Sequence, residues 1–151
     1  MAFTVLASAA LFLLGSGRSR ESFTVGELFC GEVNGFHGMV MRVKKLSVRP
    51  TKAEILIVNN SPAEIESGGA EDFCLQLERD GDWYELKRLF PDEESSVSYG
   101  YLKGVPMSMK LDWSACYGSL PAGHYRIVKR FSEYYGSAAD AGFLLAAEFK
   151  I

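Results

Sequence analysis

The sequence predicts an all-β domain, a two-sheet antiparallel sandwich of about seven strands behind an apolar N-terminal segment. Three observations carry this. From about Glu27 onward, short apolar segments alternate with turn residues. Asp80-Gly81 sits between two such segments, a strong hairpin signal. Met107 to Trp113 alternates apolar at odd and polar at even positions, the two-residue period of a half-buried strand. After the leader, no stretch holds a 3.6-residue period over three turns.

The chain has 151 residues, 48% of them hydrophobic and 13% aromatic, enough for one well-formed core. A domain of this size buries roughly two-thirds of the surface its unfolded chain exposes. The formal net charge is −3, and the basic pairs Lys44-Lys45 and Lys129-Arg130 are short. This argues against nucleic acid as a partner, which calls for clustered positive charge.

Phe3 to Leu14 reads FTVLASAALFLL, with no charge. As a helix it would rise only about 18 Å, short of a bilayer core of about 30 Å. Its length fits the apolar region of a secretory signal peptide. No Lys or Arg precedes it, Ser16-Gly17-Arg18 is not a clean cleavage site, and no lipid-accepting Cys follows it. The expected organisation is a signal- or membrane-anchor-like leader over 1–17, a linker over 18–26 and the sandwich over 27–151.

Strands are expected at Met39–Val43 and at Lys52–Val58, where Ala53, Ile55 and Ile57 share a face. Asn59-Asn60-Ser61-Pro62 ends the second, because Asn favours turns and Pro removes a backbone donor. Phe73–Glu78 places Phe73, Leu75 and Leu77 together, and the Asp80-Gly81 turn leads to a return strand from Trp83. Met107–Trp113, Tyr125–Phe131 and Phe143–Ile151 complete the set. Phe90–Leu102, with Pro91, three acids and several serines, reads as a long exposed loop.

Catalytic and metal chemistry find little support. His37 and His124 have no metal-ligand spacing to each other or to Cys30, Cys74 or Cys116. Cys116 and His124 lie in no cysteine-protease signature. Glu64, Glu66, Glu71 and Asp72 offer carboxylate pairs, but acids between strands are ordinarily solvating. Gly68-Gly69 lacks the Lys-Ser/Thr of a phosphate loop. No catalytic residue, metal ligand or cofactor is expected. With three cysteines, pairing among them stays open.

Three blocks carry a family resemblance: Ile55-Leu56-Ile57-Val58-Asn59-Asn60-Ser61; the hairpin from Leu75-Gln76-Leu77-Glu78 to Asp80-Gly81-Asp82-Trp83-Tyr84; and Leu111-Asp112-Trp113 with Tyr117 to Lys129, closing on Ala146 to Ile151. Together they resemble the bacterial immunoglobulin-like domain of exported and lipid-anchored proteins of Gram-positive gut bacteria, over roughly Gly38 to Ile151. The resemblance implies an immunoglobulin-like sandwich, placement outside the cytoplasm and no known catalytic residues. Members commonly carry a lipid-anchoring Cys after the leader, and this chain has none there. Leu120-Pro121-Ala122-Gly123-His124-Tyr125 also has the composition of a tyrosine corner, in which a Tyr hydroxyl bonds back to nearby backbone. Gly123 is expected to supply a special backbone angle there, and Trp83 and Trp113 to be core aromatics or lids.

Tyr99, Tyr101, Tyr134 and Tyr135 fall in or near loops beside Gly100, Gly104 and Gly136. Aromatics on sandwich loops make a binding surface for a protein or glycan. The expected function is therefore a non-catalytic module for binding, adhesion or spacing at the cell surface, tethered or exported through its leader. The alternatives are an enzyme accessory domain or small hydrolase, and a subunit that self-associates through an exposed edge strand.

Overall fold

The computed structural model describes residues 23–90, 97–134 and 142–151. The expected leader, 1–17, lies outside them. The regular structure of the described residues is antiparallel strand, in two packed sheets, apart from one short 3-10 helix over Lys45–Ser47. All seven expected strands are present: β2 (Met39–Val43), β3 (Lys52–Asn59), β5 (Cys74–Arg79), β6 (Asp82–Lys87), β8 (Met107–Asp112), β9 (His124–Glu133) and β10 (Phe143–Lys150). Three more join them. β1 (Thr24–Leu28) begins inside the stretch read as a linker and pairs β6. β4 (Ile65–Gly68) and β7 (Ser98–Tyr101) pair each other, so the stretch read as one exposed loop contains a strand.

The smaller sheet runs β2-β3-β8 and the larger runs β1-β6-β5-β9-β4-β7, with β10 on the other side of β9. The core between them follows the sequence alternation. Ala53, Ile55 and Ile57, then Leu75 and Leu77, then Met109, Leu111 and Trp113 are all buried. Trp113 donates its indole N–H to the Pro50 carbonyl at 2.9 Å, so its one polar atom is satisfied inside the core. Trp83 instead stands on the outer face of the larger sheet, with the Arg126 guanidinium 4.3 Å from its ring centre.

The expected turn chemistry is present. Asp80 and Gly81 have φ of 54° and 87°, the left-handed pair that a two-residue hairpin requires. Tyr125 donates its hydroxyl to the Pro121 carbonyl at 2.9 Å, closing the tyrosine corner. Gly123 works differently from expectation. Its backbone is not left-handed; rather, a Cβ there would lie 2.9 Å from the Tyr125 ring, so glycine is needed for space.

β9 is long enough to pair two successive strands along one side: Cys74–Leu77 of β5 against Tyr125–Val128, and Ile65–Ser67 of β4 against Phe131–Glu133. Between Gly68 and Cys74 the chain leaves the sheet, and Lys129 fills the space beneath this excursion. Its ammonium donates to the carbonyls of Gly68 (2.9 Å), Gly69 (2.7 Å) and Asp72 (2.8 Å). All three N–H donors are used, and the side chain is 1% exposed. Burial lowers the ammonium to about 8, opposed by the negative charges of Asp72 and Glu71.

At the far edge of the larger sheet, Asn34 imitates a strand. Its Nδ2 donates to Ala146 O (3.2 Å), its Oδ1 accepts from Ala146 N (2.9 Å), and its own N–H donates to Leu144 O (2.9 Å). Phe36 stacks on Phe143 beside it at 4.0 Å.

Lys129→Met takes the ammonium from three carbonyls. Gly68 O keeps the Ser67 hydroxyl (3.0 Å) and Gly69 O the Asp72 N–H (3.2 Å), but Asp72 O loses its donor. The variant is expected to be less stable by about 1–3 kcal/mol in urea unfolding. Unfolded, Lys129 holds its proton to its ordinary value of 10.5; folded, it releases it at about 8. Between these values the unfolded chain binds more protons, so this residue adds stability as pH rises through the window and withdraws it as pH falls back. The stability gap between the wild type and Lys129→Met should therefore widen between those two pH values.

Candidate functional site

The β4–β7 pair builds the surface on which the candidate tyrosines fall. Ile65 opposes Tyr101, Glu66 opposes Gly100 and Ser67 opposes Tyr99. Alternation turns Tyr99 and Tyr101 to one face and Gly100 to the other. A Cβ at Gly100 would meet nothing within 4 Å, so the outer face is open there.

The structure separates the four tyrosines. Tyr101 is 4% exposed, its ring is 5.5 Å from that of Phe131, and its hydroxyl lies 2.6 Å from Ser67 Oγ. Burial raises its hydroxyl above the ordinary tyrosine range, while the Ser67 hydrogen bond opposes this. It is therefore a core residue whose edge reaches the surface, because the strand that carries it is half of a packed pair rather than a loop. Tyr99 is 38% exposed and Tyr134 is 58% exposed. Tyr134 stands one residue past β9, where its N–H donates to Glu64 O at 2.8 Å. Tyr135 lies outside the described residues.

Tyr134 and Tyr101 line one open groove of about 510 Å³, which runs over the start of β4 between Tyr134 and Leu102. Leu102 is 74% exposed. Pro62, Glu64 and Lys103 complete the rim, so apolar walls alternate with one acid and one base. Tyr99 is not a wall of this groove. Leu102 carries no pattern in the sequence: a single Leu after a strand is as often core as surface.

The groove holds together through a buried polar knot at the end of β3. Asn59 Nδ2 donates to the carbonyls of Ala63 (2.9 Å) and Tyr101 (3.2 Å). Its Oδ1 accepts from the N–H (2.9 Å) and hydroxyl (2.6 Å) of Ser61. The Asn59-Asn60-Ser61-Pro62 turn thus fixes both the β3–β4 connection and the exit of β7.

The candidate chemical residues do not gather. His37 is exposed, and His124 lies 2.9 Å from Glu148 at the other end of β9. Cys30, Cys74 and Cys116 form no disulfide with one another, and Cys116 accepts from Arg88 Nη2 at 3.0 Å rather than meeting an imidazole. Glu66 accepts from Ser98 at 3.2 Å, while Glu71 and Asp72 belong to the excursion above Lys129. Among the described residues, no three of His, Cys, Asp and Glu come together in a metal-binding arrangement, and no helix is long and apolar enough to cross a membrane.

The division of the tyrosines is measurable. Tyr101→Ala is expected to lower stability by about 3–5 kcal/mol, as for other buried aromatics. Tyr99→Ala and Tyr134→Ala should each stay within about 1 kcal/mol of the wild type in the same urea titration.

Comparison with known proteins agrees with this architecture. A family model for the bacterial Ig-like domain matches residues 35–150, most of the chain and every strand from β2 to β10. No curated protein and no solved structure matches it at a significant level. With its two antiparallel sheets, its tyrosine corner and this match, the chain belongs to the bacterial Ig-like domain family.

Proposed function

We propose that this domain is a non-catalytic module that works outside the cytoplasm and holds a partner protein or glycan at the tyrosine groove. The observation that carries this reading is the pairing of an exposed Tyr134 with an exposed Leu102 across one groove built on rigid strands. Large apolar side chains exposed together on a small domain mark contact surfaces. Aromatic walls with a few polar groups on the rim suit both an apolar peptide side chain and a sugar ring. The family and the apolar leader support export and a role in binding, adhesion or spacing at the cell surface.

A second reading, self-association, has one observation in its favour. Among the described residues β7 pairs β4 along one side only, and its sequence Ser-Tyr-Gly-Tyr carries no charge, proline or bulge to discourage edge pairing. Light scattering of the purified domain separates the readings, since only self-association raises the mass with concentration.

The groove reading is tested with Tyr134→Ser/Leu102→Ser in peptide-display and glycan-array selections run in parallel with the wild type. Ligands selected by the wild type should bind the double variant at least about tenfold more weakly, a loss of about 1.4 kcal/mol, with melting unchanged. Ligands that bind both proteins equally would place recognition elsewhere and end this reading.

A further inference from the structure

The opposite end of the sandwich holds a second surface, and it is legible in the hydrogen-bond parity of β10. In an antiparallel ladder, successive residues turn their N–H and C=O alternately toward one neighbour and away from it. Gly123 and Ile151 exchange both bonds, each at 3.1 Å, so the odd-numbered residues at this end of β10 bond toward β9. The even-numbered residues Leu144, Ala146, Glu148 and Lys150 turn their main-chain groups to the free edge. Asn34 meets the first two. Among the described residues, no hydrogen bond reaches the main-chain groups of Glu148 and Lys150 on that edge.

This uncapped end of β10 faces β2 across a groove of about 370 Å³. The β2 wall has the same property. Gly38 O accepts from Asn60 N (2.7 Å) and Lys44 N donates to Glu54 O (2.9 Å), so even-numbered residues bond β3 and Val43 turns its N–H and C=O away from it. Val43, Val48 and Phe149 make apolar walls. Lys45 and Lys150 stand at the rim and form no ion pair among the described residues. The one acid of the groove, Glu148, is engaged by His124 at 2.9 Å.

We propose that this groove docks an extended acidic peptide, which adds as a strand to the uncapped end of β10. Unpaired main-chain donors and acceptors on both walls match the backbone of an extended chain, and a sugar offers no such repeat. The apolar walls fit a β-branched side chain, and the two free lysines select acidic neighbours in the peptide. The site lies roughly 30 Å from the tyrosine groove along β9, so it stands on its own observations and survives if that reading fails.

The probe is an acetylated, amidated hexapeptide of alternating Glu and Val, titrated into the full chain and followed residue by residue through amide shifts and hydrogen exchange. In the free protein the Ala146 amide, bonded to Asn34, should exchange slowly and those of Glu148 and Lys150 fast. With peptide, the Glu148 and Lys150 amides should gain about tenfold or more in protection, while those of Tyr99 and Tyr134 should not move. The double variant Lys45→Glu/Lys150→Glu, and a Lys-Val peptide, should each weaken binding about tenfold or more. The proposal is overturned by a peptide that leaves those two amides unprotected at saturation, or by a backbone N-methylated peptide that binds equally well. It is also overturned if the two amides are already protected in the free chain. Protection that disappears on removal of residues 1–22 would assign the groove to the chain's own N-terminus, and protection that grows with protein concentration would assign it to a second copy.

Discussion

The ammonium of Lys129 and the three carbonyls it captures make the architecture of the larger sheet possible. A single strand, β9, pairs both β5 and β4 along one side, and the chain between them must leave the sheet and return. That excursion turns the carbonyls of Gly68, Gly69 and Asp72 toward the buried Lys129 ammonium. An apolar side chain at position 129 would pack but leave Asp72 O without its donor, and would leave Gly68 O only the Ser67 hydroxyl and Gly69 O only the Asp72 N–H; a shorter polar one would not supply three donors. Lysine does both, at the cost of a buried charge whose proton is held less tightly than usual. β4 and, through it, β7 therefore rest on this contact, and so does the groove between Tyr134 and Leu102.

The two surfaces sit at opposite ends of β9, and the way each edge is treated explains where they occur. Asn34 closes half of the β10 edge with a side chain that copies a strand, leaving the half toward the C-terminus open. β1 carries Glu27 and a register shift between Val25 and Leu28, and β8 carries Lys110 and Asp112, features that discourage pairing. The outer face of the larger sheet is covered instead: Phe29 and Trp83 stack on Arg126, which donates to Gln76 at 2.6 Å. The two grooves therefore lie at the ends of the sandwich rather than on this covered face.

Much of this was legible in the residues. The alternation of Met107–Trp113, the Asp80-Gly81 turn and the Pro121–Tyr125 corner each have a local physical cause, and each is found as expected. β1, β4 and β7 were not legible because they are short and owe their extended shape to partners far away in sequence. Ile65–Gly68 and Ser98–Tyr101 have no distinctive pattern until β9 and each other are in place. The same blindness affected the tyrosines: Tyr101 looks like a loop aromatic only if β7 is missed. Lys129, in a basic pair, reads as solvated, and no local signal announces an excursion of carbonyls from another strand. The capping role of Asn34 depends on a contact 112 residues away.

The most direct measurement is native-state hydrogen exchange on Lys129→Met, compared with the wild type at single-residue resolution. Loss of the captured carbonyls should free the β4–β7 platform before the rest of the sheet opens. Amides bonded between β4 and its two neighbours should lose at least about tenfold more protection than those between β5 and β9. An equal loss at both places, or none at β4, would contradict the claim that Lys129 holds the platform and the groove it carries.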